Sequence, residues 1–224
     1  MIAAVTAITL RELTRRRGAL ALVALLPLAF YLVRIDTAGQ AIRFLAIGVG
    51  WAVATLSLFT HVSSRHLDQR LAVVGASPTA LIAGRQLALT VMGLALAVVY
   101  FIGVALTQDV ARLWSVGLLL ATSVLISAPL GAAVSLLVPR ELEGALALLS
   151  IMALQMLADP AGTAAKLLPL WSSREFATYA VEPAAGASLS DGLLHFAAVT
   201  ILAVAVTWIV GRFRLRPLRL PTPA

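Results

Sequence analysis

The chain has 224 residues, of which 61% are hydrophobic and only 12% charged, and its mean hydropathy is +0.98. Soluble domains have about a quarter charged residues, so this composition indicates an integral membrane protein, and several spans leave no room for a further catalytic or nucleotide-binding domain of roughly 100 residues. The net charge of +7 comes from arginines in short clusters between apolar segments, which is typical of topology signals and not of a nucleic-acid-binding face. The absence of cysteine excludes disulfides and thiolate metal sites.

The first element, 1–17, is predicted to be a helix that lies in the membrane interface. Its apolar residues recur at helical spacing, and its basic residues can reach water. The alternative is a frayed terminus. No small-residue cleavage site follows the next apolar segment, so we expect that segment to be a retained anchor. The residues expected to face lipid are Ile2, Val5, Ile8, Leu10 and Leu13.

Apolar segments of the length that a bilayer requires, about 20 residues, recur along the rest of the chain. They predict an all-α integral membrane protein that forms one membrane domain over 1–224. The fifth segment is short for a span. The six predicted spans are 18–33, 41–60, 87–107, 114–138, 144–158 and 193–211.

The arginines and lysines predict the orientation of these spans. Twelve of them flank one side of the expected membrane and five flank the other. Because basic residues accumulate in cytoplasmic loops, both termini are expected in the cytoplasm of a bacterial-type plasma membrane. The polar stretch 63–86 then becomes a cytoplasmic loop.

Within that loop, Leu67, Leu71 and Val74 recur at i, i+4 and i+7, the spacing of one helix face. Gly75 follows and can take the left-handed conformation that commonly ends a helix. The pattern therefore predicts a short amphipathic helix within 63–78.

A second helix is expected to start immediately afterwards. Ser77 is a residue type that caps helix N-termini, and Pro78 is preorganised for the first helical position. The loop is thus predicted to be a short helix, a break, and a new helix that continues into the third span.

This arrangement resembles the permease subunit of a type-two ATP-binding-cassette (ABC) exporter. Such permeases have an N-terminal interfacial helix, six spans and a first cytoplasmic loop formed by an acidic, leucine-rich helix and a Ser-Pro or Thr-Pro restart. The family often opens this loop with a glutamate and a Gly-Thr or Gly-Ser pair, where this chain has SSRH. The residues that carry the resemblance are Leu67, Asp68, Leu71, Gly75, Ser77 and Pro78, followed by Gly84 and Arg85.

The resemblance implies that 63–78 is a coupling helix that docks on a separate ATPase subunit, which binds ATP and Mg²⁺. It also implies a second permease subunit, identical or different, and no cofactor in this chain. The alternative is a solvated loop whose apolar stripe packs on its own protein or on lipid headgroups. The implied ATPase contacts are Leu67, Leu71 and Val74, their charged neighbours Arg65, Asp68 and Arg70, and the turn residues Gly75, Ser77 and Pro78.

The loop around 139–144 is short, charged and on the same predicted side. By the same resemblance, Glu141 and Glu143 would form a second contact with the ATPase. The alternative is a solvated connection.

The external segment 159–191 contains apolar residues interrupted by prolines, which predicts short helices that re-enter the outer leaflet under cover of protein. The resemblance implies that this segment closes the outer end of a transport pathway. A purely interfacial anchoring role for its tryptophan is the alternative. The implied gate residues are Leu167, Leu168, Pro169, Leu170 and Trp171.

No phosphate-binding Gly-x-x-x-x-Gly-Lys-Ser/Thr motif occurs, and no Gly-x-Ser-x-Gly setting surrounds a serine, so the chain is not expected to be an enzyme. Few ionisable residues lie in the predicted spans, which disfavours an ion-coupled carrier and favours an apolar or amphipathic cargo. Two alternatives stay open: the haem-exporter permease of cytochrome c maturation, and a non-transporting membrane scaffold or immunity protein.

Overall fold

The computed structural model describes residues 1–138, 140–159, 162–182 and 188–215. Those residues form α-helices and one 3₁₀ helix, with no β-strand among them. The elements in chain order are α1 (Ile2–Arg15), α2 (Arg17–Val33), α3 (Ala38–Ser63), α4 (Arg65–Val73), α5 (Pro78–Thr107), α6 (Leu113–Leu137), α7 (Glu141–Leu157), the 3₁₀ helix Thr163–Leu167, α8 (Ser172–Val181) and α9 (Ser188–Arg214).

Among the described residues, four helices are long and apolar enough to cross a membrane: α3, α5, α6 and α9. Their arrangement places apolar surface on the outside. In α3 and α6, 72% of the most apolar segment is buried inside the protein, whereas the corresponding values for α5 and α9 are 28% and 11%. A helix that is hydrophobic all round yet exposed requires an apolar solvent. The fold is therefore that of an all-helical, multi-pass membrane protein.

The predicted spans 18–33 and 144–158 correspond to α2 and α7, which have 17 residues each. At 1.5 Å per residue, each is about 25 Å long, shorter than the hydrocarbon core of about 30 Å. The axes of α1 and α2 meet at 82° across one residue. Taken together, the two helices are long and apolar enough to form one bent span. The described helices thus provide four spans, or five when the bent pair counts as one.

The centre of the fold is the contact between α3 and α6. Gly131 lies so close to α3 that a Cβ atom there would be 2.1 Å from the Ala54 carbonyl oxygen. The Ser57 hydroxyl also donates to the Ala128 carbonyl at 2.6 Å across this contact. Small residues permit the close backbone approach on which helix packing in lipid depends.

Hydrogen bonds at the two ends of the helix bundle show which loops and short helices lie at each end. At one end, Arg65 at the start of α4 reaches the C-terminus of α6; we name this the α4 end. At the other, the Arg112 N–H donates to the Ala180 carbonyl of α8 at 3.0 Å; we name this the α8 end. The polar loop and the proline-interrupted segment therefore lie at opposite ends.

The N-terminal helix α1 packs on the beginning of α5 at the α4 end. Thr6 donates to the Gly84 carbonyl at 3.0 Å, and the Val5 side chain lies against Gly84. Leu13 is buried in the main apolar core, whereas Ile2 and Ile8 are exposed. The expectation that all five apolar residues face lipid is therefore wrong for Val5 and Leu13, because the 82° bend folds that part of α1 onto the bundle.

Candidate functional site

The short helix α4 ends in a Schellman motif. The Ala76 N–H donates to the Leu71 carbonyl at 2.8 Å, and the Gly75 N–H donates to the Ala72 carbonyl at 3.1 Å. Gly75 has φ of +96°, a conformation that glycine adopts without steric cost. The predicted helix end at Gly75 is confirmed.

The restart is also confirmed at the backbone, because Ser77 is the N-cap residue of α5 and Pro78 is its first helical residue. The Ser77 side chain makes no capping hydrogen bond, contrary to the expectation from its residue type. Its carbonyl accepts from the N–H groups of Ala80 and Leu81 at 3.0 and 3.1 Å. The Ala80 amide, at a position that a serine hydroxyl often caps, is therefore bound by a backbone carbonyl.

The apolar stripe of α4 is only partly covered by the protein. Leu67 is 54% exposed, Val74 is 80% exposed and Leu71 is half-buried. The buried residues of α4 are Asp68 and Ala72. A helix that belongs to one protein alone usually buries its apolar face, so this orientation makes the stripe available to another apolar surface.

The inward face of α4 is fixed by an ion pair. Both guanidinium contacts of Arg85 go to Asp68: Nε donates to Oδ2 at 3.0 Å, and Nη2 donates to Oδ1. The Ser64 hydroxyl also donates to Asp68 Oδ2 at 3.2 Å. The expected place of Asp68 is at a partner surface; its carboxylate instead lies inside the protein, where it ties α4 to α5.

Arg65 ties the start of α4 to α6. Its Nη2 atom donates to the carbonyls of Ser135 and Val138 at 2.6 and 3.2 Å. Desolvation, together with the nearby charge of Arg214, lowers the pKa of Arg65. Of the three charged residues expected at a partner surface, Arg70 is the one whose side chain is exposed.

The acidic turn lies at the same end. Glu141 and Glu143 form the first turn of α7, which begins a few residues after the carbonyls that Arg65 binds, and both are exposed. Arg140 lies 3.9 Å from Glu143 in an exposed pair, a geometry worth little in water. The fold therefore brings α4 and the acidic turn to one surface, the α4 end.

The expected gate residues at the α8 end divide into exposed and buried members. Leu167 is exposed, Leu168 and Pro169 are half-buried, and Leu170 and Trp171 are buried. The Leu170 N–H donates to Gln155 Oε1 of α7 at 3.1 Å. Leu170 also packs in an apolar cluster with side chains of α3, α6 and α7, so this part of the segment is a packed element of the bundle.

Trp171 connects the segment to α9. Its ring meets the His195 ring edge to face, with 5.2 Å between centroids, and the Lys166 ammonium lies 5.6 Å from the Trp171 centroid. His195 Nε2 is 3.0 Å from the Lys166 carbonyl oxygen. α8 continues from Trp171 and is docked on α6 through Arg112, whose guanidinium donates to the Tyr179 carbonyl at 2.7 Å.

A cavity of about 270 Å³, lined by both charged and apolar side chains, lies beneath α4, between the ends of α3, α5, α6 and α9. The residues that line it include His61, Arg65, Asp68, Arg85 and Arg214. The sequence analysis identified no cavity here. The signal that indicates one is Arg85 itself, since an arginine inside an apolar helix requires a buried partner.

No group of three His, Asp or Glu side chains within the described residues is placed to hold a metal ion. Comparison of the sequence with known protein families and with curated proteins found no match. The resemblance to ABC permeases therefore stays a prediction from the sequence.

Proposed function

We propose that this chain is the membrane-spanning permease subunit of an ATP-driven ABC exporter, coupled through α4 to a separate ATPase subunit. The observation that carries the proposal is the orientation of α4, which leaves Leu67 and Val74 exposed and Leu71 half-buried. A passive loop would gain by turning these residues inward, because burial of each is worth about 1.5–3 kcal/mol. A partner cleft offers the same burial.

The connections of α4 suit the transmission of force. Asp68 binds Arg85 of α5, and Arg65 binds the end of α6, so a displacement of α4 pulls on two long helices at once. α6 in turn carries α8 at the opposite end through Arg112. In the proposed mechanism, ATP closes the ATPase dimer, α4 moves with it, and the α8 end opens to release cargo outward.

The proposal completes the membrane arrangement with six spans, in which α2 and α7 cross as short helices and α1 lies in the interface. Both termini and the α4 end face the cytoplasm of a bacterial-type plasma membrane. The partner binds ATP and Mg²⁺, and a second permease copy or a related chain completes the pathway. Glu141 and Glu143 form the second ATPase contact, and the residues around Leu170 and Trp171 act at the external gate.

The proposed cargo is an apolar or amphipathic molecule such as a drug, an antibiotic or a lipid-like compound. The helices that would line its path are rich in small residues, and side chains such as Met152 and Gln155 lie among them. Methionine adapts to irregular apolar shapes, which suits such a cargo.

The test is affinity purification of the tagged chain in mild detergent, with mass spectrometry of the co-purifying proteins and an ATPase assay of the eluate. The proposal expects a P-loop ATPase that is lost when Leu67 and Leu71 are both changed to aspartate. A well-folded chain with no ATPase attached would favour the membrane scaffold. Recovery of haem-handling proteins together with an ATPase would favour the haem-exporter permease.

A further inference from the structure

The cavity beneath α4 has an excess of positive charge. Arg65, Arg85 and Arg214 line it, and the carboxylate among its lining residues, Asp68, is already bound by Arg85. Its volume of about 270 Å³ is far above the roughly 10–15 Å³ that one water needs. Space of this size next to guanidinium groups is suited to an anion larger than chloride, because arginine pairs best with planar or tetrahedral oxyanions.

His61 adds a hydrogen-bond acceptor. Its Nδ1 lies 2.9 Å from the Ser57 carbonyl oxygen, which can only accept, so Nδ1 carries the hydrogen. Nε2 of the neutral ring is then an acceptor, and this atom is buried without a hydrogen-bond partner in the described residues. A buried acceptor with no partner carries a desolvation cost that a ligand hydroxyl would remove.

The rest of the lining contains apolar carbon. Ile82, Leu136 and Leu215 contribute to the cavity wall, and the cavity lies at the α4 end, where the long apolar helices terminate. A ligand that fits these surfaces combines an oxyanion, a neighbouring hydroxyl and a short carbon skeleton.

We propose that the cavity binds a hydroxyl-bearing phosphate ester, with Arg65 and Arg214 on the phosphate and His61 Nε2 accepting from the hydroxyl. A glycerophosphate group has this chemistry, whether it belongs to a phosphatidylglycerol headgroup or to a soluble glycerol phosphate. Arg214 is exposed, so it stands at the mouth of the cavity, while Arg65 is held in place by the carbonyls of α6. The site is independent of the proposed export function.

The test measures lipid binding to the purified full chain by native mass spectrometry. Phosphatidylglycerol is compared with phosphatidylcholine of the same acyl chains. The site predicts that phosphatidylglycerol binds at least about tenfold more tightly, and that Arg214→Gln weakens its binding about tenfold, as expected when a charge-assisted hydrogen bond is lost. Arg212→Gln is the matched control, because Arg212 is exposed on the same last turn of α9 and does not line the cavity.

The hydroxyl contact has its own test. His61→Phe should abolish a preference for phosphatidylglycerol over phosphatidylmethanol, an anionic phosphate diester without a hydroxyl. Competition by soluble glycerol 3-phosphate that depends on Arg214 would identify the soluble ester as the ligand, and lipid binding without such competition would identify the headgroup. Equal losses in Arg212→Gln and Arg214→Gln would overturn the proposal, as would the absence of Arg214-dependent binding of either probe.

Discussion

Arg85 of α5 and Asp68 of α4 form a buried, two-contact ion pair between residues that are separated by a helix end, a turn and a helix start. The two residues are 5% and 8% exposed. This pair decides which face of α4 turns inward. With Asp68 turned towards Arg85, Leu67 and Val74 are left exposed and Leu71, three residues from Asp68, is half-buried.

Breaking this pair is expected to destabilise the protein strongly. Asp68→Ala leaves the Arg85 charge buried without its partner, which costs about 3–5 kcal/mol. The double variant Asp68→Leu with Arg85→Met removes both charges and should recover most of that loss. The free energy of unfolding of both variants is measured in detergent by tryptophan fluorescence against increasing denaturant.

The matched control for the ion pair is Glu12→Ala in α1. Glu12 pairs with Arg16 at 2.9 Å, and both side chains are 52% exposed. An exposed pair contributes about 0–1 kcal/mol, so this variant should be close to wild type. Similar stability losses in Asp68→Ala and Glu12→Ala would show that the Asp68–Arg85 pair has no special structural role.

The end of α4 depends on the backbone conformation of Gly75. An added Cβ at Gly75 meets no atom within 4 Å, so the expected cost of Gly75→Ala, roughly 1–2 kcal/mol, comes from its φ of +96° alone. Gly103→Ala is the control, because Gly103 lies inside α5, its Cβ would also be free of contacts, and alanine favours a helix there by about 0.5–1 kcal/mol. In thermal unfolding, the melting temperature of Gly75→Ala should lie below that of wild type and that of Gly103→Ala above it.

The α3–α6 contact should tolerate no side chain at Gly131. Gly131→Ala would place a Cβ 2.1 Å from the Ala54 carbonyl oxygen, a backbone atom that cannot move without separating the helices. We expect a loss of about 3 kcal/mol or more, seen as aggregation in size-exclusion chromatography. Gly117→Ala in the same helix, with its nearest contact at 3.4 Å from the Phe101 ring, should remain monodisperse.

The local features of the polar loop 63–86 are the part that sequence patterns predict well. Gly75 and Pro78 mark backbone positions where one residue type is preferred for steric reasons, so the helix end and restart are visible in the printed sequence. The outward orientation of α4 is not visible there. An i, i+4, i+7 stripe is the same whether it faces inward or outward, and the choice depends on the distant Arg85.

The site at the α8 end shows the same limit. Proline spacing predicts short helices in 159–191, and the structure has a 3₁₀ helix and α8 there. Which residues are buried depends on contacts from other elements, such as Gln155 with the Leu170 amide and His195 with Trp171. Leu167 and Leu170 are both leucines, so residue type alone could not show that Leu170 is buried and Leu167 exposed.

The proposed orientation has a direct test, because the chain contains no cysteine. Gln69→Cys at the α4 end and Leu167→Cys at the α8 end both place a thiol at an exposed position. A membrane-impermeant maleimide added to intact spheroplasts should label Leu167→Cys and leave Gln69→Cys unlabelled until the membrane is opened. Labelling in the reverse order would invert the proposed topology.

Two adjacent valines test the direction of the docking face. Val73 and Val74 are 73% and 80% exposed, but successive helix positions differ by about 100°, so only Val74 belongs to the Leu67–Leu71 stripe. Val74→Asp should reduce ATPase recovery in affinity capture about tenfold or more, because the carboxylate would be buried at the contact. Val73→Asp should retain the ATPase. Equal effects of the two variants would contradict a docking surface centred on the stripe.

The most direct measurement is photo-crosslinking from α4 in intact cells, with a photoreactive amino acid at Leu71 and, as the comparison, at Val73. Mass spectrometry then identifies what each position touches. The account predicts that Leu71 crosslinks to a P-loop ATPase in much higher yield than Val73. Crosslinks from Leu71 only to lipid or to this chain itself would contradict the claim that α4 docks on an ATPase subunit.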